Sequence, residues 1–192
     1  MNHWHTSPQG PGPLQSIQRK PLNRRALLLA AVALGLAACD KPPSSPSADA
    51  ALLPGSRFPA AVLDHIAGGS DAQGPFQGKQ LVLNIWATWC PPCRREMPSL
   101  DRLSKRLDPA RFAVLGLSVD ADRLLAAEFL LQQHIGFRNF FDPDGSLSQH
   151  LGLKAYPQTF VIAPDRQLLH SVRGQREWDS PDMVSLIEAS PS

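Results

Sequence analysis

The sequence predicts an α/β fold in which a central mixed β-sheet is flanked by helices. Three observations lead there. The apolar run Leu81-Val82-Leu83-Asn84-Ile85 reads as a buried strand and hands over within a few residues to a helical pattern at Arg94-Arg95-Glu96-Met97. Strand-like and helix-like segments then alternate as far as Ala163. Finally, Pro164-Asp165 turns Gln158–Ala163 back onto Gln167–Val172, which closes the sheet with an antiparallel hairpin.

Taken in order, Arg57 to Leu63 and the turn residues Gly68-Gly69 suggest an N-terminal β-hairpin, and Gly78-Lys79 turns into the Leu81–Trp86 strand. The following helix carries Leu100, Leu103 and Leu107 at spacings of three and four, one apolar stripe. Pro98 should kink it and Asp108-Pro109 should end it. Phe112–Val119 is a second apolar strand. Ala121–Ile135 reads as a helix with Leu124, Leu125, Phe129 and Leu131 largely on one side. A short helix, Gly145–Leu151, follows the turn Asp142-Pro143-Asp144-Gly145. Ser180 as N-cap and Pro181 at the first helical position open a closing helix to Ala189.

With 192 residues and 43% apolar content, the chain can bury one core and carry an appendage. Its formal charge of +2 is unevenly spread. Residues 1–38 hold Arg19, Lys20, Arg24 and Arg25 and no acid, so residues 39–192 carry 15 basic and 17 acidic side chains. The basicity belongs to a targeting segment, and nothing points to nucleic acid. The apolar run Ala26–Ala38 behind Arg24-Arg25 is too short for a settled transmembrane helix and reads as a secretory signal. It ends in Leu36-Ala37-Ala38-Cys39, which resembles the bacterial lipobox, whose cysteine becomes the lipidated first residue of the mature protein. Asp40 resembles the residue associated with inner-membrane retention of lipoproteins. Asn23-Arg24-Arg25-Ala26-Leu27-Leu28 resembles a twin-arginine export motif, with a general secretory signal as the alternative. The organisation expected is therefore a signal peptide over 1–38, a lipidated Cys39 with a Pro/Ser/Ala tether over 39–52, and a folded domain over 53–192. At ~3 Å per extended residue the tether holds the domain within tens of Å of the membrane.

With Cys39 lipidated, Cys90 and Cys93 are the thiols left to the mature chain. They stand in Trp89-Cys90-Pro91-Pro92-Cys93, where a strand meets a helix N-terminus, and that placement is a redox signature. Two intervening residues on a tight first turn let the sulfurs meet with little backbone movement. Cys90, at the helix start, is expected to be the exposed attacking sulfur, near unpaired helix N–H groups and the positive dipole end. Cys93, one turn in, is expected to be the sheltered resolving thiol. Pro91 and Pro92 have no N–H, so the Cys93 amide is the first donor able to reach the Cys90 sulfur. The Cys90 thiol should sit below the free value of about 8.5 without approaching the ~3.5 of the strongest oxidants. Weak thiolate stabilisation makes the pair a better electron donor, which favours a disulfide reductase. A zinc site would need two further ligands, and His65, His134, His150 and His170 offer no ligand spacing. A peroxiredoxin pattern fails because Leu83 and Ala87 stand where its Pro and Thr would be.

Residues 53–189 resemble the TlpA/ResA-like branch of the thioredoxin superfamily. The resemblance is carried by Asn84-Ile85-Trp86-Ala87-Thr88-Trp89-Cys90-Pro91-Pro92-Cys93-Arg94-Arg95-Glu96-Met97-Pro98 and by Tyr156-Pro157-Gln158-Thr159-Phe160. It implies a thioredoxin-like fold with a strand–helix insertion between residue 119 and Pro157. It further implies that Pro157 is a cis-proline facing the dithiol, and that Glu96 passes protons to and from Cys93. Asn84 stands where thioredoxin has a buried acid, so proton transfer must lean on Glu96 or water. Trp89 is expected to wall one side of Cys90 and Tyr156 to shape specificity. Arg94 and Arg95 read as a solvated helix face, and Trp86 as core.

The enzyme expected is a periplasm-facing, inner-membrane thiol–disulfide oxidoreductase. It would be a monomer with no cofactor beyond the Cys90–Cys93 pair, acting on protein disulfides. By resemblance, a DsbD/CcdA-type membrane protein supplies electrons, and the targets belong to cytochrome c maturation or metal-site assembly. The rival readings are a disulfide-introducing oxidant and a non-catalytic metal or assembly chaperone.

Overall fold

The computed structural model describes residues 52–70 and 78–189. The leader over 1–38, Cys39 and the tether as far as residue 51 lie outside the described residues. Among those described, no helix is long and apolar enough to cross a membrane.

Six strands form one mixed sheet: β1 (Asp64–His65), β2 (Gln80–Trp86), β3 (Phe112–Ser118), β4 (Arg138–Phe141), β5 (Gln158–Ile162) and β6 (Leu168–Arg173), in the order β1-β4-β3-β2-β5-β6. The β4-β3-β2 part is parallel. β5, β6 and β1 join antiparallel. Every residue of β2 and of β5 is buried, as near-continuous apolar runs in the middle of a sheet require. The helices are α1 (Pro91–Arg106), α2 (Arg123–Gln132), α3 (Ser146–His150) and α4 (Pro181–Glu188). One core cluster joins α1 and α4 to the sheet through Met97, Leu100, Leu103, Trp178, Val184 and Ile187. A second joins Leu81, Leu83, Ile85, Leu115, Leu117, Phe140 and Phe160. Each such large side chain contributes about 1.5–3 kcal/mol by leaving water.

The mixed sheet, the antiparallel close and the strand–helix insertion match expectation, and β4 with α3 supplies the insertion. Local departures have physical reasons. The hairpin at the N-terminus is shorter and later than expected. His65 N–H donates to Gly69 O, and Asp64 bridges Ser70 across a turn in which Gly68 and Gly69 take positive φ, the conformation glycine adopts without strain. Residues 57–63 form no regular strand, and Arg57 makes an isolated bridge to Gln167. Helix α1 runs through Pro98 to Arg106. In α2 the expected apolar side is split: Phe129 packs against Trp86 as expected, but Leu124, Leu125 and Leu131 are exposed, and the small Ala126 is the fully buried residue. Leu124 and Leu125 point about 100° apart, and the side that meets the core is the one carrying Ala126, Phe129 and Leu130. At Gly116 on β3 a Cβ would lie 1.8 Å from Asn139 Oδ1, the acceptor for Trp86 Nε1–H at 2.9 Å. The missing side chain is what lets this buried indole bond form.

Candidate active site

β2 ends at Trp86, and the chain turns through Ala87–Trp89 into α1. Asp120, buried just past β3, fixes that turn. Its carboxylate accepts the Thr88 N–H at 3.0 Å, the Thr88 hydroxyl at 2.6 Å and the Ser118 hydroxyl at 2.8 Å. Trp89 then leads to Cys90, which stands at the N-cap of α1 in an extended conformation, and Pro91 and Pro92 open the helix. Cys93 N–H donates to Cys90 Sγ at 3.3 Å, the capping bond expected where two prolines remove the earlier donors. The two sulfurs are joined in a disulfide, with Cα atoms 5.3 Å apart.

Cys90 is not the exposed sulfur that its position at the helix mouth suggested. It is 4% accessible and belongs to the core cluster, because bonding to Cys93 folds its side chain back over the first helical turn. Cys93 is fully buried, as expected. Beside them Trp89 is 62% exposed, and its ring meets that of half-buried Tyr156 edge-on at 5.7 Å. Trp89, next to Cys90 in the chain, and Tyr156, next to the cis-proline, thus meet as one aromatic pair. The Tyr156–Pro157 peptide bond is cis, and Pro157 leads into β5. Arg94 and Arg95 are exposed, as expected.

Glu96 departs from a solvated helix charge. Its side chain is fully buried, one turn past Cys93 on the same helix face. Oε1 accepts Asn84 Nδ2–H at 2.7 Å. Oε2 accepts the Arg176 N–H at 3.0 Å and Trp178 Nε1–H at 3.2 Å. Burial disfavours the charged form and raises the carboxyl pKa from 4.5 to about 7, against the pull of those three hydrogen bonds and the Arg176 charge. The segment between β6 and α4 that supplies two of the donors is tied down in turn. Ser99 Oγ accepts the Trp178 N–H at 3.0 Å, Arg102 Nε donates to Asp179 Oδ2 at 2.6 Å, and Arg102 also pairs with Glu177. Among the described residues, no cluster of His, Cys, Asp and Glu could hold a metal ion.

The sequence reading named Cys90, Cys93, Glu96, Pro157, Trp89 and Tyr156, and these fall on α1, its approach and the start of β5. It missed Asp120, Thr159, Arg176 and Trp178. The one available signal for Asp120 was an acid following an apolar strand. Trp178 lies 82 residues from Glu96, and no local pattern joins them.

A strand-to-helix C-x-x-C disulfide and a cis-proline at the head of β5, carried on one mixed sheet, define a dithiol enzyme of thioredoxin fold. Residues 53–187 match the Redoxin family, and the chain belongs to it. It is similar to the thiol:disulfide interchange protein DsbE of Pseudomonas aeruginosa, at 30% identity over 139 residues, 69% of this chain and 75% of that relative. It is also similar to the thiol-disulfide oxidoreductase ResA of Bacillus thuringiensis, at 26% identity over 122 residues, 64% of this chain and 70% of the relative. A solved DsbE-type structure from Chlorobium tepidum superposes with a TM-score of 0.66 at 28% identity, covering 72% of this chain and 98% of that one. The protein is a thiol–disulfide oxidoreductase of the DsbE/ResA type.

Proposed function

We propose that this oxidoreductase is a disulfide reductase for exported proteins, held at the inner membrane through a lipid on Cys39 with its domain in the periplasm. In the reduced enzyme the Cys90 thiolate attacks a target disulfide. A mixed disulfide forms, and the target's other sulfur leaves as a thiolate and takes a proton. Cys93 then gives its proton to ionised Glu96 and attacks Cys90 Sγ. The enzyme disulfide forms, and the target's second sulfur departs, so two electrons have passed to the target. A DsbD/CcdA-type membrane protein restores the dithiol, and the targets are the disulfide of an apocytochrome c, whose thiols are thereby released, or that of a metal-site assembly protein. Trp89 and Tyr156 receive the target chain beside Cys90.

The observation that carries this reading is the buried Glu96 one turn from Cys93, with a carboxyl poised near pH 7 to take and return a proton. The reducing direction is supported by the N-cap. The first backbone amide able to reach the Cys90 sulfur is that of Cys93, so the helix mouth offers a thiolate few donors. In the test, the Cys93→Ala protein is expressed in its host membrane and covalent partners are collected. Trapped exported proteins bearing cysteine pairs support the reading. A Cys93→Ala chain that captures none, together with a parent chain that fails to reduce insulin with dithiothreitol, contradicts it.

A further inference from the structure

The hydrogen bonds around Glu96 divide its two oxygens by kind. Both partners of Oε2, the Arg176 backbone amide and the Trp178 indole, can only donate. A proton taken up by Glu96 therefore has no acceptor on that side. The partner of Oε1 is different. Asn84 carries a donor and an acceptor on one planar group, and its Nδ2 donates both to Glu96 Oε1 at 2.7 Å and to Thr159 Oγ1 at 2.9 Å. Its Oδ1 is buried and, among the described residues, has no hydrogen-bond partner. An orphaned buried acceptor costs about 1–3 kcal/mol, so this one stands out at a site otherwise well satisfied. The arrangement suits a carboxylate and fails for a carboxylic acid, whose O–H would meet an N–H.

We infer that Asn84 is a positioning residue whose amide rotates by half a turn with the protonation of Glu96, donating to the carboxylate and accepting from the acid. The proton then resides on Oε1. After rotation Asn84 Oδ1 accepts from the Glu96 O–H and from the Thr159 hydroxyl, which turns from acceptor to donor. Two hydrogen bonds exist before and two after, and one amide atom is unpartnered in either state. The exchange therefore moves a proton onto a buried carboxyl at almost constant hydrogen-bond count. No backbone shift is needed, and both side chains lie on rigid strands, β2 and β5. Among the described residues, the charged group that acts on this carboxyl is Arg176, on the segment before α4, and Cys93 is the titratable group one turn away on α1. β2 and β5 present Asn84 and Thr159, neither of which titrates in this range.

The inference deepens the reading of Glu96 as proton carrier and rests on it. Its test uses the oxidised, 13C,15N-labelled full-length chain, in which Cys93 is bonded and does not titrate. The Asn84 side-chain amide resonances are followed from pH 5 to 9 together with the Glu96 carboxyl carbon. The amide protons are expected to lose their strongly hydrogen-bonded shift as Glu96 gains its proton. In Glu96→Gln, whose side-chain amide mimics the acid by donating to Asn84 Oδ1, they should hold the acid-state shift at every pH. Variants give a second reading. Trp178→Phe removes a donor that favours only the carboxylate and should raise the Glu96 pKa by about one unit. Asn84→Ala removes a group serving both forms and should move it by much less. Asn84 resonances that stay fixed while Glu96 titrates, or an Asn84→Ala shift equal to that of Trp178→Phe, would overturn the rotation and leave the proton carrier standing. A Glu96 carboxyl that does not titrate between pH 5 and 9 overturns both.

Discussion

Glu96 and Asp101 lie five residues apart on α1, both buried, and the protein treats them in opposite ways. Burial is the largest influence on each and pushes both pKa values up. At Glu96 the opposing partners are mainly neutral N–H groups, and burial wins. At Asp101, Lys105 Nζ lies 2.5 Å from Oδ2, and the Gly136 amide donates to Oδ1 at 2.8 Å. These partners hold the carboxyl below its ordinary value of 3.8. One helix thus carries a carboxylate held charged at neutral pH, which staples the start of the β4 region to α1. One turn from the dithiol it carries another, left free to change its proton. Depth is common to both, and the difference lies in whether a cation donates directly to the carboxylate, as Lys105 does to Asp101.

The sharpest break between the two ends comes from the sulfurs. Cys90→Ser should abolish insulin reduction while leaving the fold and the Asp101 end intact, as read by activity and by circular dichroism. Glu96→Gln comes next. Folded Glu96 keeps its proton up to about pH 7, whereas an unfolded glutamate keeps it only to about 4.5. The stability this group contributes is therefore full below pH 4.5 and lost as pH rises through 7, by about 3 kcal/mol. Urea melts should show the variant gaining on the parent between pH 5 and 8, and its exchange rate should lose the step near pH 7. Asp101→Asn should do the reverse. A depressed carboxyl contributes stability above its unfolded pKa and loses it as pH falls through the lower folded value. The variant should be about 1–2 kcal/mol less stable at neutral pH, with an unchanged pH profile of exchange. Smallest is Lys105→Ala. Its side chain is two-thirds exposed, so the loss should be within about 1 kcal/mol and should shrink in salt.

Much of this was legible in the chain. Strands β2 and β5 announced themselves as apolar runs, and Cys90-Pro91-Pro92-Cys93 fixed where the chemistry sits, because strand end, N-cap and sulfur spacing are all local. What depended on distant packing was not legible. Strand β4 holds only four residues, too few for its alternation to stand out. In α2 the face that meets the core is Ala126, Ala127, Phe129 and Leu130, so Leu124, Leu125 and Leu131 are left in solvent. Glu96 had the right neighbour in sequence, but its burial is imposed by Trp178 and Arg176, which reach it only once β6 and α4 are in place.

The central claim is that the Cys90–Cys93 pair gives electrons away and does not take them. Its direct test is the standard reduction potential of the purified protein, equilibrated against dithiothreitol and glutathione and read by trapping free thiols. The account predicts a value on the reducing side, nearer the roughly −270 mV of thioredoxin than the roughly −120 mV of the strongest dithiol oxidants. A potential at the oxidising end would contradict it.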